Sequence, residues 1–118
     1  MFQKIFVLLS RRDLRSVEKN AVISALHSVK EYALAMFDLG VLYYTGRGVT
    51  EDYTKAVEWF RKAADIGFDR DAMYTLGYMY ANGDGVTQDQ NEAIRWMRLA
   101  AENGSDRAKT WLERNNIR

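Results

Sequence analysis

AMFDLGVLYYTGRGVTEDYTKAVEWFRKAADIGFDRD, residues 35–71, runs directly into AMYTLGYMYANGDGVTQDQNEAIRWMRLAAENGSDRA, residues 72–108. The two segments agree at 18 of 37 positions. Self-similarity at a fixed period of this size marks a stack of supersecondary units, each too small to bury its apolar face alone. Fold class follows from the period before any single motif is weighed.

Within one unit, the first half reads as a helix over about 35–45 that is apolar almost all round. Ala35, Leu39 and Leu42 make one stripe, Met36, Gly40 and Tyr43 a second, and Phe37, Val41 and Tyr44 a third. Such a helix is buried from several sides or shows an apolar face to a partner. Gly40 and Gly77 recur in mid-helix at about 1 kcal/mol each relative to alanine, which points to close approach of another helix backbone.

Gly46-Arg47-Gly48-Val49 and Gly83-Asp84-Gly85-Val86 then end the helix and turn the chain back. A phosphate loop would place such glycines after a strand and ahead of a helix. Here they follow a helix, and Asp84 would repel an anion. Asp52 and Asp89 stand where a second helix needs its N-cap, and Asp89 with Glu92 has capping-box spacing. Ala56, Trp59, Phe60, Ala63 and Ala64, repeated as Ala93, Trp96, Met97, Ala100 and Ala101, form the buried side of that helix. Large rings alternate with alanines as in knob-and-groove packing, so Trp59→Ala or Trp96→Ala is expected to cost about 3–5 kcal/mol. Lys55, Glu58, Arg61 and Lys62 fall on the solvated side, and Gly67 and Gly104 end the second helices.

The flanks read as caps. Phe2, Ile5, Phe6 and Leu9 fall at helical spacing, as do Val17, Ala21, Ala25 and Val29, giving helices at about 2–11 and 14–31. The pattern restarts at Ala108 and fails at Glu113, leaving one helix at about 106–115. The expected organisation is a single all-α solenoid domain over residues 1–118. It divides into a degenerate N-terminal cap at 1–34, repeat one at 35–71, repeat two at 72–104 and a capping helix at 105–118.

Composition narrows the function classes. The 118 residues carry a formal net charge of +1 and 28% charged residues, which gives no electrostatic case for nucleic acid. RRDLR at 11–15 is the densest basic run and reads as a solvated helix junction. There is no cysteine, so no disulfide framework or thiolate metal site can form, and no proline interrupts the helices. The apolar run Ile5–Leu9 is short for a secretory signal, and no stretch nears the ~20 apolar residues of a membrane span. Cytoplasm is the default, with secretion or the periplasm left open. An enzyme has little to work with: His27 is the one histidine, reads as a surface or packing residue, and no carboxylate pair or metal spacing accompanies it. No cofactor is expected.

The spacing written by Ala35, Leu39, Gly40, Tyr43, Gly46, Gly48, Val49, Asp52, Ala56, Trp59, Ala63, Ala64 and Gly67 resembles the Sel-one-like repeat, a relative of the tetratricopeptide repeat. Ala72, Leu76, Gly77, Tyr80, Gly83, Gly85, Val86, Asp89, Ala93, Trp96, Ala100, Ala101 and Gly104 write it again. The resemblance covers residues 35 to about 112. It implies antiparallel helix pairs stacked in a right-handed superhelix, used as a scaffold or adaptor for other proteins. The first helix of each pair then lines the concave surface. By register the partner-binding positions are Phe37, Val41, Tyr44 and Thr45 in repeat one, and Tyr74, Tyr78, Ala81 and Asn82 in repeat two. Cysteine-rich secreted members of the family differ from this chain.

The expected function is a non-catalytic protein-binding module whose aromatic groove grips a partner protein or peptide. A competing arrangement has the chain's own N-terminal helices filling the groove over Phe37 and Val41. An immunity or antitoxin-type protein that neutralises a cognate toxin is the alternative of the same class, and a homodimer is a second way to cover apolar surface.

Overall fold

The computed structural model describes residues 16–117, and among these every regular element is helical. The order is α1 (Ser16–Thr45), α2 (Tyr53–Gly67), α3 (Arg70–Asn82), α4 (Gln90–Glu102) and α5 (Asp106–Arg114). The helix expected at 2–11 and the basic run at 11–15 lie outside the described residues.

Side-chain contacts fix the pairing. Ala33 lies against Gly67, Gly40 against Phe60, and Tyr43 beneath the Lys55 ammonium, so α2 returns antiparallel along the second half of α1. In the same way Gly77 meets Met97 and Met73 meets Asn103, pairing α3 with α4. The core runs through both pairs and includes Met36, Ala56, Phe60, Ala64, Met73, Leu76, Trp96 and Met97. Both glycine turns adopt the left-handed backbone that their residues favour, at φ 72° and 76° for Gly46 and Gly48 and 73° and 71° for Gly83 and Gly85. The expected all-α solenoid is therefore the fold.

Several local expectations change. The break placed between helices 14–31 and 35–45 is absent, because α1 runs unbroken for 30 residues. The cause is legible at the repeat period. Asp69 caps α3, accepting from the backbone N–H groups of Asp71 and Ala72 at 2.9 and 3.0 Å. One period earlier stands Tyr32, which cannot cap, within EYALA, which favours helix. Since α2 ends opposite Ala33, residues 16–32 project about 25 Å beyond it at the usual rise per residue.

Asp52 and Asp89 cap as expected, each accepting a backbone N–H three residues on, from Lys55 and Glu92, at 3.1 Å. The capping box does not close. The Asp89 N–H donates instead to the Tyr80 carbonyl at 3.0 Å, and Glu92 pairs with Arg95 at 2.9 Å. Gly67 ends α2 without leaving helical geometry. The left-handed residue is Phe68 at φ 51°, and Gly67 is small because Ala33 presses on it. The mid-helix glycines make room mainly for side chains rather than for a bare backbone. A methyl on Gly40 would stand 2.6 Å from the Phe60 ring, and one on Gly77 3.0 Å from Met97 and 3.2 Å from the Ala93 carbonyl.

The two tryptophans also part company. Trp96 is buried at 5% exposure, whereas Trp59 is only half-buried, with the Lys62 ammonium 4.5 Å above its ring. Phe60, at 1% exposure, fills the space assigned to Trp59. Lys55, Glu58, Arg61 and Lys62 are exposed as expected.

Candidate partner-binding face

The eight groove positions fall on α1 and α3 and differ in what they leave free. Phe37 packs its ring against Phe60 at 5.4 Å and a 50° tilt, so much of it serves the pair's own core. Val41 and Tyr74 are half-buried against the core, and the Arg107 guanidinium of α5 lies 5.2 Å over the Tyr74 ring. The Thr45 hydroxyl donates back to the Val41 carbonyl at 2.8 Å. Ala81 is half-buried and its carbonyl accepts from the Gln88 amide at 2.8 Å. Asn82 is exposed, and Tyr78 is 43% exposed, the most open of the aromatic set. Among the described residues, Phe60 of α2 covers Phe37, and the N-terminal helix expected to compete for it lies outside them. Residues 16–32 run on along the axis of α1.

Tyr44 gathers a cluster that sequence register does not show. Its ring stacks on Tyr53 at 4.9 Å and 20°, bringing the start of α2 onto the end of α1. Gly85 of the second turn closes onto the Tyr53 backbone, where an added methyl would stand 2.5 Å from its carbonyl. This sets Asp84 beside the pair. Glu51 joins from the first turn, its Cβ 3.2 Å from where a methyl on Gly46 would be. Burial raises the pKa of the Tyr44 phenol above its usual value, and Asp84, Tyr53, Tyr78 and Glu51 add to the rise, in that order. The structure thus stacks Tyr53 on Tyr44 and adds Asp84, Tyr78 and Glu51 to the electrostatic surroundings of Tyr44. The missed residues lie in turns and at a helix start, where helical periodicity carries no information. The recurrence of the two-glycine turn, which presses Asp84's neighbour onto Tyr53, was the available signal.

His27 is exposed and pairs with Glu31 at 3.2 Å, one turn along α1. Among the described residues no group of three histidine, cysteine, aspartate or glutamate side chains could hold a metal ion. Among the same residues no helix is long and apolar enough to cross a membrane.

Comparison with known proteins agrees with the geometry. The Sel1 repeat model matches residues 33–68 and 70–105. A Sel1 repeat protein from Oxalobacter formigenes superposes with a TM-score of 0.67 at 37% identity, over 81% of this chain and 28% of that one. Helicobacter pylori cysteine rich protein B superposes at 0.66 with 25% identity, over 92% of this chain and 80% of that one. This chain keeps that architecture with no cysteine at all. The Arabidopsis thaliana ERAD-associated E3 ubiquitin-protein ligase component HRD3A is 50% identical over 42 residues, 35% of this chain and 6% of that protein. The chain therefore spans only a small part of that relative. Sel1 repeats serve generally as protein-interaction modules and typically act as non-catalytic scaffolds. With two matched repeats over well over half its length and the helix pairs to go with them, the chain belongs to the Sel1 repeat family.

Proposed function

We propose that this chain binds a partner protein through the face formed by α1 and α3, with Tyr44 and Tyr78 as its anchors. The observation that carries the reading is the exposure of Tyr78 on α3 together with the Tyr44–Tyr53 stack at the end of α1. A large ring held at low entropy cost, with a hydroxyl still able to bond, is what protein interfaces favour. Phe37, Val41 and Tyr74 support the face from beneath, where they pack on the core. Thr45, Ala81 and Asn82 form its polar and small-residue margin. HRD3A is by its name a component of a larger ligase, which accords with a role in assembly for the shared repeat.

The test is affinity purification with the wild-type chain and with the Tyr44→Ala/Tyr78→Ala double variant, followed by measurement of the affinity for the partner recovered. At least tenfold weaker binding, with unchanged helicity, is the expected result. Wild-type affinity in the double variant would remove this face from the account.

A further inference from the structure

This chain repeatedly places its own cations over its own rings. Lys55 lies over Tyr43 at 5.5 Å, Arg61 over Tyr80 at 6.0 Å, Lys62 over Trp59 at 4.5 Å, Arg95 over Trp96 at 4.8 Å and Arg107 over Tyr74 at 5.2 Å. Tyr44, Tyr53 and Tyr78 carry no such cation among the described residues. Tyr44 also stands with carboxylates, Asp84 from the second turn and Glu51 from the first, and Gly85, the neighbour of Asp84, lies against the Tyr53 backbone.

The backbone adds charge of the same sign. The ends of helices α1 and α3 approach each other, since Gly85 in the turn after α3 closes onto the Tyr53 backbone and the Tyr53 ring stacks on Tyr44 at the end of α1, and each end presents the negative pole of its dipole. Neither helix has a basic residue in its last turn to offset that pole. The one cation in these turns is Arg47, which occupies in the first turn the place that Asp84 holds in the second. Two carboxylates, two helix C-termini and the Tyr44–Tyr53 stack therefore meet at one edge of the binding face, with the exposed Tyr78 ring on α3 completing it. A cation placed there gains from all three, and an anion from none.

We propose that the edge formed by Tyr44, Tyr53, Tyr78, Glu51 and Asp84 is a subsite for a lysine or arginine side chain of the partner protein. The proposal rests on the binding-face reading above and specifies the chemistry of its occupant. Charge complementarity selects the occupant: the ring faces accept the aliphatic stem, and the carboxylates accept the charged head.

A phage-displayed library of random dodecapeptides, selected on the intact chain, tests it. The expected binders are enriched at least twofold in lysine and arginine over the unselected library. They weaken at least tenfold on Tyr78→Ala and on Glu51→Gln/Asp84→Asn, and tighten as salt is lowered. Asp84→Arg, which the matching turn already tolerates as Arg47, is expected to abolish binding while circular dichroism and the melting temperature stay those of the parent. Binders that need Tyr78 but neither carboxylate would overturn the cationic subsite and leave the face standing. Binders indifferent to Tyr78, or no binders at all, would overturn both.

Discussion

Ala35 and Leu39 in repeat one occupy the places of Ala72 and Leu76 in repeat two, yet the first two are exposed and the second two are fully buried. The glycines behave alike. A methyl on Gly85 would collide with Tyr53, whereas one on Gly48 meets nothing within 4 Å among the described residues. The same residue type at the same register thus does two different jobs. In repeat two it forms the joint with the helix pair before it, and in repeat one the same surface faces outward. A solenoid repeat offers the same docking surface to whatever element stacks on it.

That contrast can be broken experimentally, and the largest effect is expected at the tryptophans. Trp96→Ala is expected to cost about 3–5 kcal/mol in urea unfolding, while half-buried Trp59→Ala costs about 1 kcal/mol. Phe60→Ala then takes over the role assigned to Trp59, at about 3–5 kcal/mol. Equal losses at the two tryptophans would mean that the pairs pack alike after all.

The leucines give the next largest difference. Leu76→Ala is expected to cost about 2–5 kcal/mol, against about 1 kcal/mol or less for Leu39→Ala, whose side chain is already 36% exposed. A matching loss at Leu39 would show that something covers the outward face in solution. Thermal denaturation of Gly85→Ala and Gly48→Ala isolates the turn. Both lose about 1–2 kcal/mol to the left-handed backbone, and Gly85→Ala loses a further 1–3 kcal/mol, roughly, to its collision with Tyr53.

The smallest effect concerns pH. The folded state holds the Tyr44 proton more tightly than the unfolded chain does, so above pH 10 it binds more protons than the unfolded state. Stability that is present below pH 10 should therefore decline as pH rises through the raised pKa. Tyr44→Phe should flatten that decline, as read by urea melts between pH 9 and 11. An unchanged slope would mean that Tyr44 is neither buried nor set near Asp84 and Glu51 as described.

Much of this architecture is readable from residues alone. The two-glycine turns, the aspartate caps and the alanine stripe of the second helices recur because each answers a local demand of backbone geometry or of helix crossing. The eight groove positions follow from register, but their separate fates do not. Phe37 is drawn into the pair's core by Phe60, Tyr74 is overlaid by Arg107, and Tyr78 stays open. Periodicity assigns a residue to a stripe. It does not say which neighbouring helix that stripe meets.

Readable from the residues is the unit: a helix, a two-glycine turn, a capped return helix, and its repetition after 37 residues. These follow from capping, left-handed backbone and apolar spacing, all of which act within a few residues. Packing between distant segments sets the rest: α1 runs through the expected break, Phe60 rather than Trp59 fills the first pair, and Tyr53 stacks on Tyr44 with the second turn closed against it. Each of these depends on which surfaces meet when the pairs stack, and residues far apart in the chain set that contact.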